Sequence, residues 1–76
     1  MKISAREKEV LFLIANEYTT NEIATHLYLS THTVITHRKN LLWKMNVRNV
    51  AGLVRKGFEK GFLTCGPIIN SKVFES

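Results

Sequence analysis

The stretch TTNEIATHLYLSTHTVITHRKN, residues Thr19 to Asn40, divides into two short helical patterns. Thr19 and Glu22 have the spacing of a capping box, in which a hydroxyl and a carboxylate each accept a backbone N–H at the start of a helix. The break follows at Tyr28, Leu29 and Ser30, and the Ser30 hydroxyl can cap the second helix. Two helices joined by so short a turn predict a helix-turn-helix, whose second helix can enter the major groove of DNA.

The second helix, which we expect from Thr31 to about Met45, has one apolar and one largely polar side. With successive residues about 100° apart around the axis, Leu41 and Met45 lie within about 20° of Val34. The opposite side, roughly 100° to 240° from Val34, carries Ile35, Thr36, Lys39, Asn40 and Trp43. Polar side chains of this kind can reach base edges and phosphates, although the solvated face of an ordinary amphipathic helix has the same pattern.

Positive charge is concentrated in the second helix of the motif and in the residues after it. The net charge of the 76-residue chain is +5. Residues 31–60 contain seven basic residues and one acidic residue, whereas residues 1–30 contain three basic and four acidic residues. A basic block attracts polyanions, but it also keeps a protein in solution. Its coincidence with a helix-turn-helix favours a nucleic-acid partner.

Several separated motifs resemble the LuxR-type DNA-binding domain. In chain order they are Ser4-Ala5-Arg6-Glu7, Glu9-Val10-Leu11, Asn21-Glu22-Ile23-Ala24, Leu29-Ser30, Thr33-Val34, His37-Arg38 and Lys44-Met45-Asn46-Val47-Arg48-Asn49. The match extends over about residues 3–63 without gaps. The resemblance implies an all-α fold, a compact four-helix bundle in which helices 2 and 3 form the helix-turn-helix at about residues 19–38. We therefore divide the chain into a domain, residues 1–63, and a C-terminal tail, residues 64–76.

Cap and periodicity signals place the four helices near residues 4–16, 20–27, 31–45 and 50–60. Ser4 and Glu7 form another capping box, and Asn49 can cap the fourth helix. Asn46 and Gly61 are suited to the left-handed conformation that ends a helix. The residues that we expect in a single core are Val10, Ile14, Ile23, Leu27, Val34, Leu41, Val47 and Val54.

The placement and the resemblance together predict how the second helix of the motif meets DNA. Base edges are expected to face Ile35, Thr36 and Lys39. A Lys suits guanine O6 and N7, a Thr can donate or accept, and an Ile can meet a thymine methyl group. The family tends to have a basic residue where Ile35 stands, which leaves the preferred bases open. Phosphate contacts are expected from Thr20, Asn21, Thr31, Thr33, Arg38, Asn40 and Lys44.

The resemblance also implies a homodimer on double-stranded DNA, formed through the outer face of the fourth helix. Arg55, Lys56 and Glu59 would lie at or near that contact. RNA polymerase is a further partner that a regulator of this kind would contact. The function that we predict is therefore that of a bacterial sequence-specific transcription regulator or its effector domain.

An alternative is a protein-interaction module that reads no bases. Phe12 points about 200° away from Val10, outside the apolar stripe of the first helix. It is either covered by the C-terminal tail, which we prefer, or part of a contact surface. In the alternative, a partner docks on Phe12, Trp43 and the apolar residues of the tail, which are Ile68, Ile69, Val73 and Phe74.

The sequence has no motif for catalysis, a cofactor or a metal. It lacks a Gly-rich phosphate loop and a nucleophile motif, so we do not expect an enzyme. The residues His26, His32, His37 and Cys65 lack the paired spacing of a zinc site. The single Cys excludes an intramolecular disulfide. No apolar run approaches the roughly 18 residues of a membrane span, so we expect a soluble, cytoplasmic, nucleoid-associated protein.

Overall fold

The computed structural model describes residues 2–64, which form four helices and no strand. The helices are α1 (Ala5–Ala15), α2 (Thr20–Leu27), α3 (Thr31–Lys44) and α4 (Val50–Glu59). Each lies within one residue of its predicted bounds, so the all-α four-helix fold is confirmed. None of these helices is both long and apolar enough to cross a membrane.

Polar side chains fix where each helix begins. The Glu7 N–H donates to Ser4 Oγ and the Ser4 N–H donates to Glu7 Oε1, which completes a capping box on α1. Thr19 and Glu22 form the equivalent box on α2. The other two helices have single side-chain caps, Ser30 for α3 and Asn49 for α4. The start of every helix was therefore predictable from a short-range signal in the sequence.

The turn between α2 and α3 depends on a left-handed residue. Tyr28 has φ 58° and ψ 44°, a conformation that is uncommon for a residue with a bulky side chain. The Leu29 N–H then donates to the Ala24 carbonyl at 2.9 Å, which ends α2 tightly. The position of this break was predicted, but its backbone conformation was not. Asn46, after α3, has the predicted left-handed conformation, with φ 57°.

A single apolar core connects the four helices. Its buried members are Val10, Leu11, Leu13, Ile14, Ile23, Ala24, Val34, Leu41, Met45, Leu53 and Leu63. Five of the eight predicted core residues are among them, and Leu27, Val47 and Val54 are partly buried against the same cluster. Leu11 was predicted at the edge of the apolar stripe of α1. It is fully buried because Gly57 of α4 and the returning Leu63 lie against it.

Gly57 allows the chain after α4 to pack back onto that helix. The Leu63 N–H donates to the Gly57 carbonyl at 3.0 Å. A Cβ at position 57 would lie 2.6 Å from Leu63 Cδ1 and 3.3 Å from Leu11 Cδ2, so it would force both leucines to move.

Gly57→Ala is therefore expected to lower the free energy of unfolding by about 1–2 kcal/mol. Overpacking costs about 1–3 kcal/mol, and a gain of up to about 1 kcal/mol in helix propensity offsets part of it. Urea denaturation measures the change. In a Leu63→Ala background the added methyl group has room, so the cost should largely vanish. An equal cost in both backgrounds would show that the close approach to Leu63 is not the cause.

Candidate nucleic-acid interface

One side of α3 is packed in the core and the other is open to solvent. Val34 and Leu41 are fully buried. The five residues predicted on the opposite side are all exposed and share one surface, which we call the outer face of α3: Ile35, Thr36, Lys39, Asn40 and Trp43. Ile35 is 42% and Trp43 is 72% exposed. Exposed apolar side chains therefore stand among the polar ones on the outer face of α3.

Two polar residues of the outer face are available to a ligand in different ways. The Thr36 hydroxyl donates to the His32 carbonyl at 3.1 Å, so its oxygen can act as an acceptor toward a ligand. The amino groups of adenine and cytosine are matching donors in the major groove. Lys39 has no carboxylate within ion-pair distance in residues 2–64. Its ammonium is therefore a donor that the domain itself does not neutralise.

Lys44, at the end of α3, is bound within the domain. Its Nζ lies 2.9 Å and 3.0 Å from the two carboxylate oxygens of Glu7, which is buried. We expected Lys44 at a DNA phosphate. In the structure its ammonium is bound to Glu7, which connects α3 to α1. This contact was not predicted, because the two residues are far apart in the sequence.

The Glu7 carboxyl is held in its ionised form. Burial raises its pKa, but the backbone N–H of Ser4 and the ammonium of Lys44 together outweigh burial and lower the pKa below its ordinary value of 4.5. At neutral pH the buried carboxylate therefore carries a full charge that faces a cation. The capping box of α1 and the end of α3 thus share one charged group, which fixes the two helices relative to each other.

The basic side chains of the domain differ in whether they have a carboxylate within ion-pair distance. Three ion pairs occur in the described residues: Lys44 with Glu7, Arg6 with Glu9 at 3.3 Å, and Arg55 with Glu59 at 3.1 Å. Arg38, Lys39 and Arg48 have no such partner there, and they lie on α3 or directly after it. Arg48 is exposed in the turn before α4. It contributed to the basic block in the sequence analysis but was assigned no role of its own.

The first turn of α2 has two free backbone donors. Thr19 accepts the Glu22 N–H through its hydroxyl and the Ile23 N–H through its carbonyl. The N–H groups of Thr20 and Asn21 are left without an acceptor in the helix. Such donors at the positive end of the helix dipole suit a phosphate group. Asn21 is exposed and Thr20 is half-buried.

One of the backbone N–H groups in the first turn of α3 already donates to the side chain that caps the helix. The Thr33 N–H donates to Ser30 Oγ at 3.1 Å, and the hydroxyls of Ser30 and Thr33 share a hydrogen bond of 2.9 Å. Thr33 therefore stabilises the start of the helix, and its N–H is not available to a phosphate. Thr31 is exposed, and its N–H has no acceptor within the helix.

The residues expected at a dimer contact lie on one surface of α4. Arg55, Lys56 and Glu59 line a shallow depression together with Val47 and Gly52. Both Arg55 and Glu59 are exposed, whereas Lys56 is half-buried. Phe58 on the same helix is 42% exposed.

Of the residues named in the alternative interpretation, Phe12 and Trp43 lie in the described chain. Phe12 is 58% exposed. Its expected cover, the tail of residues 64–76, lies outside the described residues from Cys65 onward, and so do the four apolar tail residues.

Within residues 2–64 no three His, Cys, Asp or Glu side chains come together. His26 instead packs edge-on against Tyr18, with ring centroids 5.6 Å apart.

Comparison with known proteins finds a matching family and several similar proteins. The model of the family described as "Bacterial regulatory proteins, luxR family" matches residues 1–56. The chain is 40% identical over 63 residues to the uncharacterized response regulatory protein YgeK of Escherichia coli, covering 83% of this chain and 43% of that protein. It is 38% identical over 61 residues to the oxygen regulatory protein NreC of Staphylococcus carnosus, covering 80% of this chain and 28% of that protein.

A solved structure is also similar. That structure, of the transcription factor GerE, matches with a TM-score of 0.79 at 26% identity and covers 84% of this chain and 96% of that one. The chain thus spans less than half the length of the two curated relatives but nearly all of the solved one.

Proposed function

Because the chain belongs to the luxR family of bacterial regulatory proteins and carries a helix-turn-helix DNA-binding domain of that family, we propose that it regulates transcription by reading specific sites in double-stranded DNA. In this proposal α3 lies in the major groove and the outer face of α3 meets the base edges. The observation that carries the proposal is the alignment of Ile35, Thr36 and Lys39 on the solvent side of a helix whose other side is locked in the core.

The three side chains would read bases through different chemistry. Lys39 would donate to O6 and N7 of guanine. Thr36, whose proton is engaged by His32, would accept from an adenine or cytosine amino group. Ile35 would pack against a thymine methyl group, which an apolar side chain favours over a polar base edge. The proposed specificity therefore combines one charged, one polar and one apolar contact.

Phosphate contacts would hold α3 in position. The free N–H groups of Thr20, Asn21 and Thr31 supply donors at two helix starts. On and after α3, the side chains of Arg38, Asn40 and Arg48 would supply the rest, and Thr33 would contribute only its hydroxyl. We assign Lys44 to the support of α3 rather than to a phosphate, because its ammonium is bound to Glu7.

We further propose that two copies bind together through α4. The surface around Arg55, Lys56 and Glu59 carries both signs of charge, so it can meet its own copy across a two-fold axis. Phe58 offers apolar area to the same contact. Two copies related in this way would read an inverted repeat. A contact with RNA polymerase would be a separate property of the regulator on its promoter.

Titration of binding to mixed genomic DNA with salt tests whether DNA is the partner. We expect binding at low salt, with log K falling linearly with log salt by about 0.9 for each neutralised phosphate. Arg48→Ala should reduce that slope by about one unit, because Arg48 has no competing carboxylate in the described residues. Arg6→Ala is the control, since Arg6 lies on α1, outside the proposed contacts, and is already compensated by Glu9 of the same helix. Absence of DNA affinity at low salt would favour the protein-interaction module instead.

A further inference from the structure

Trp43 is the residue of the outer face of α3 to which the proposed function gives no role. Its side chain is 72% exposed. It lies about 180° from Val34 around the helix axis, directly opposite the buried side, whereas Lys39 and Thr36 lie at about 140° and 200°. Trp43 therefore projects from the same side of the helix as the two polar residues that would read bases, but closer to the end of α3.

The distance along α3 separates Trp43 from the residues that would read bases. With a rise of about 1.5 Å per residue, Trp43 lies roughly 6 Å beyond Lys39 and roughly 12 Å beyond Ile35. In a helix-turn-helix the N-terminal residues of the second helix contact the base edges, and the major groove is only about 12 Å wide. A side chain near the other end of the same face therefore meets the strand at the edge of the groove.

Polar and charged residues before and after Trp43 favour the same placement. Lys39 and Asn40 precede it by about one turn and are exposed, and Arg48 follows it in the turn before α4. Neither Lys39 nor Arg48 has a carboxylate within ion-pair distance in residues 2–64. Cations without a carboxylate partner attract the phosphates of DNA. The indole thus lies in the part of the domain where the proposed function expects a DNA strand to run.

The chemistry of the indole fits a sugar–phosphate unit better than an apolar protein surface. Ile35, the other exposed apolar residue of the outer face, is about two turns away, so the two side chains do not form one apolar patch. Within residues 2–64 the indole N–H donates to no acceptor. An indole combines an apolar ring with an N–H that can only donate. A deoxyribose offers apolar C–H groups beside a phosphate that accepts.

We propose that Trp43 binds the sugar–phosphate backbone of double-stranded DNA at the edge of the major groove. The proposal rests on the proposed function, because it requires α3 to lie in that groove. The ring packs on a deoxyribose, and the indole N–H donates to an oxygen of the neighbouring phosphate. Such a contact carries no base information, so Trp43 strengthens binding to every sequence and holds the end of α3 against one strand.

Quenching of the indole fluorescence by acrylamide tests this contact in the full-length protein. Trp43 is the only Trp of the chain, so the signal reports this position alone. Mixed-sequence duplexes are added at low salt, and the anisotropy of a dye on the duplex measures binding separately. We expect the quenching constant to fall several-fold at saturation, because the DNA strand covers the ring. Binding with unchanged quenching would overturn the contact and leave the proposed function intact, whereas absence of binding would overturn both.

A relocated indole provides the matched control. The variant Phe12→Trp, Trp43→Phe moves the single indole to α1, where the native ring is 58% exposed and lies outside the proposed DNA contacts. Saturation with the same duplex should leave its quenching unchanged. Equal protection at positions 12 and 43 would show that protection is not local and would contradict the proposal. Protection of Trp43 that grows with protein concentration without DNA would assign the surface to a second copy, which also overturns it.

Affinities of variants test the ring and the N–H in turn. Trp43→Ala should weaken binding to mixed-sequence duplexes about tenfold, and Trp43→Phe, which keeps a ring and loses the N–H, should weaken it less. Phe12→Ala should bind as the native protein does. The motif selected from a random DNA pool should be the same for Trp43→Ala and the native protein. Equal affinities of these two proteins, or an altered motif, would contradict a backbone contact by Trp43.

Discussion

Replacing Lys44 by Met is expected to lower the free energy of unfolding by about 3 kcal/mol, the largest change that we predict for a single residue. The substitution keeps a long unbranched side chain, one heavy atom shorter, and removes its charge, so Glu7 is left as a buried carboxylate without a cation. The side chain of Glu7 is only 5% exposed and that of Lys44 is 26% exposed. Water can therefore replace little of the lost interaction. For a domain of this size, such a loss is a large part of the total stability.

The pair between Arg55 and Glu59 provides the matched control. Its N···O distance of 3.1 Å is similar, but its side chains are 81% and 54% exposed. Arg55→Met should therefore change the free energy of unfolding by less than about 1 kcal/mol. Urea denaturation of both variants gives the comparison. Equal effects of Lys44→Met and Arg55→Met would show that the pair with Glu7 does not hold α3 against α1.

A double variant separates the charge from the packing. Glu7→Gln combined with Lys44→Met removes both charges at once. We expect the double variant to lose less free energy of unfolding than the two single variants lose together. Each single variant leaves one charge without its partner, whereas the double variant leaves none. Strict additivity would mean that Glu7 and Lys44 act separately, for example through the capping box alone.

The features that were predictable from sequence are those that depend on neighbouring residues. The spacing of Ser4 and Glu7 and that of Thr19 and Glu22 locate two helix starts, because a capping box is complete within four residues. The 100° rotation per residue likewise predicts the buried side of α3 from Val34 and its stripe. These rules need no knowledge of the tertiary fold, and the structure confirms them.

The features that were not predicted depend on contacts between distant segments. Leu11 is buried in a core that includes Leu63 and Gly57, which come from the distant end of the domain and which no local pattern indicates. The pairing of Glu7 with Lys44 joins residues 37 positions apart. A partial signal did exist, since Lys44 lies about 80° from Val34, at the border of the core-facing side.

The sequence predicted which residues form the exposed surface of the candidate site, but not which contact each of them makes. All five residues of the outer face of α3 are exposed as the angular pattern predicted. The acceptor role of Thr36 depends on its hydrogen bond to His32, which the sequence alone left open. Which bases each side chain prefers depends on how α3 lies in the groove, and this property of the complex stays a prediction.

Lys39→Ala is expected to weaken binding to the preferred site by about 1–3 kcal/mol, or roughly 5- to 150-fold in Kd. Lys39 is the only basic residue of the outer face of α3, so its loss removes the charged base contact of the proposal. The same variant should bind mixed genomic DNA only slightly less well, because the phosphate contacts remain. Stability should be unchanged, since Lys39 is exposed and has no ion-pair partner in residues 2–64.

Selection of binding sites from a random DNA pool, with the native protein, Lys39→Ala and Arg48→Ala in parallel, tests base reading by α3 most directly. The native protein should enrich one motif, arranged as an inverted repeat if two copies meet through α4. Lys39→Ala should lose the preference at one or two base pairs of each half-site, whereas Arg48→Ala should enrich the unchanged motif with lower yield. The same motif with the same preferences from native protein and Lys39→Ala would contradict base reading by Lys39 on the outer face of α3.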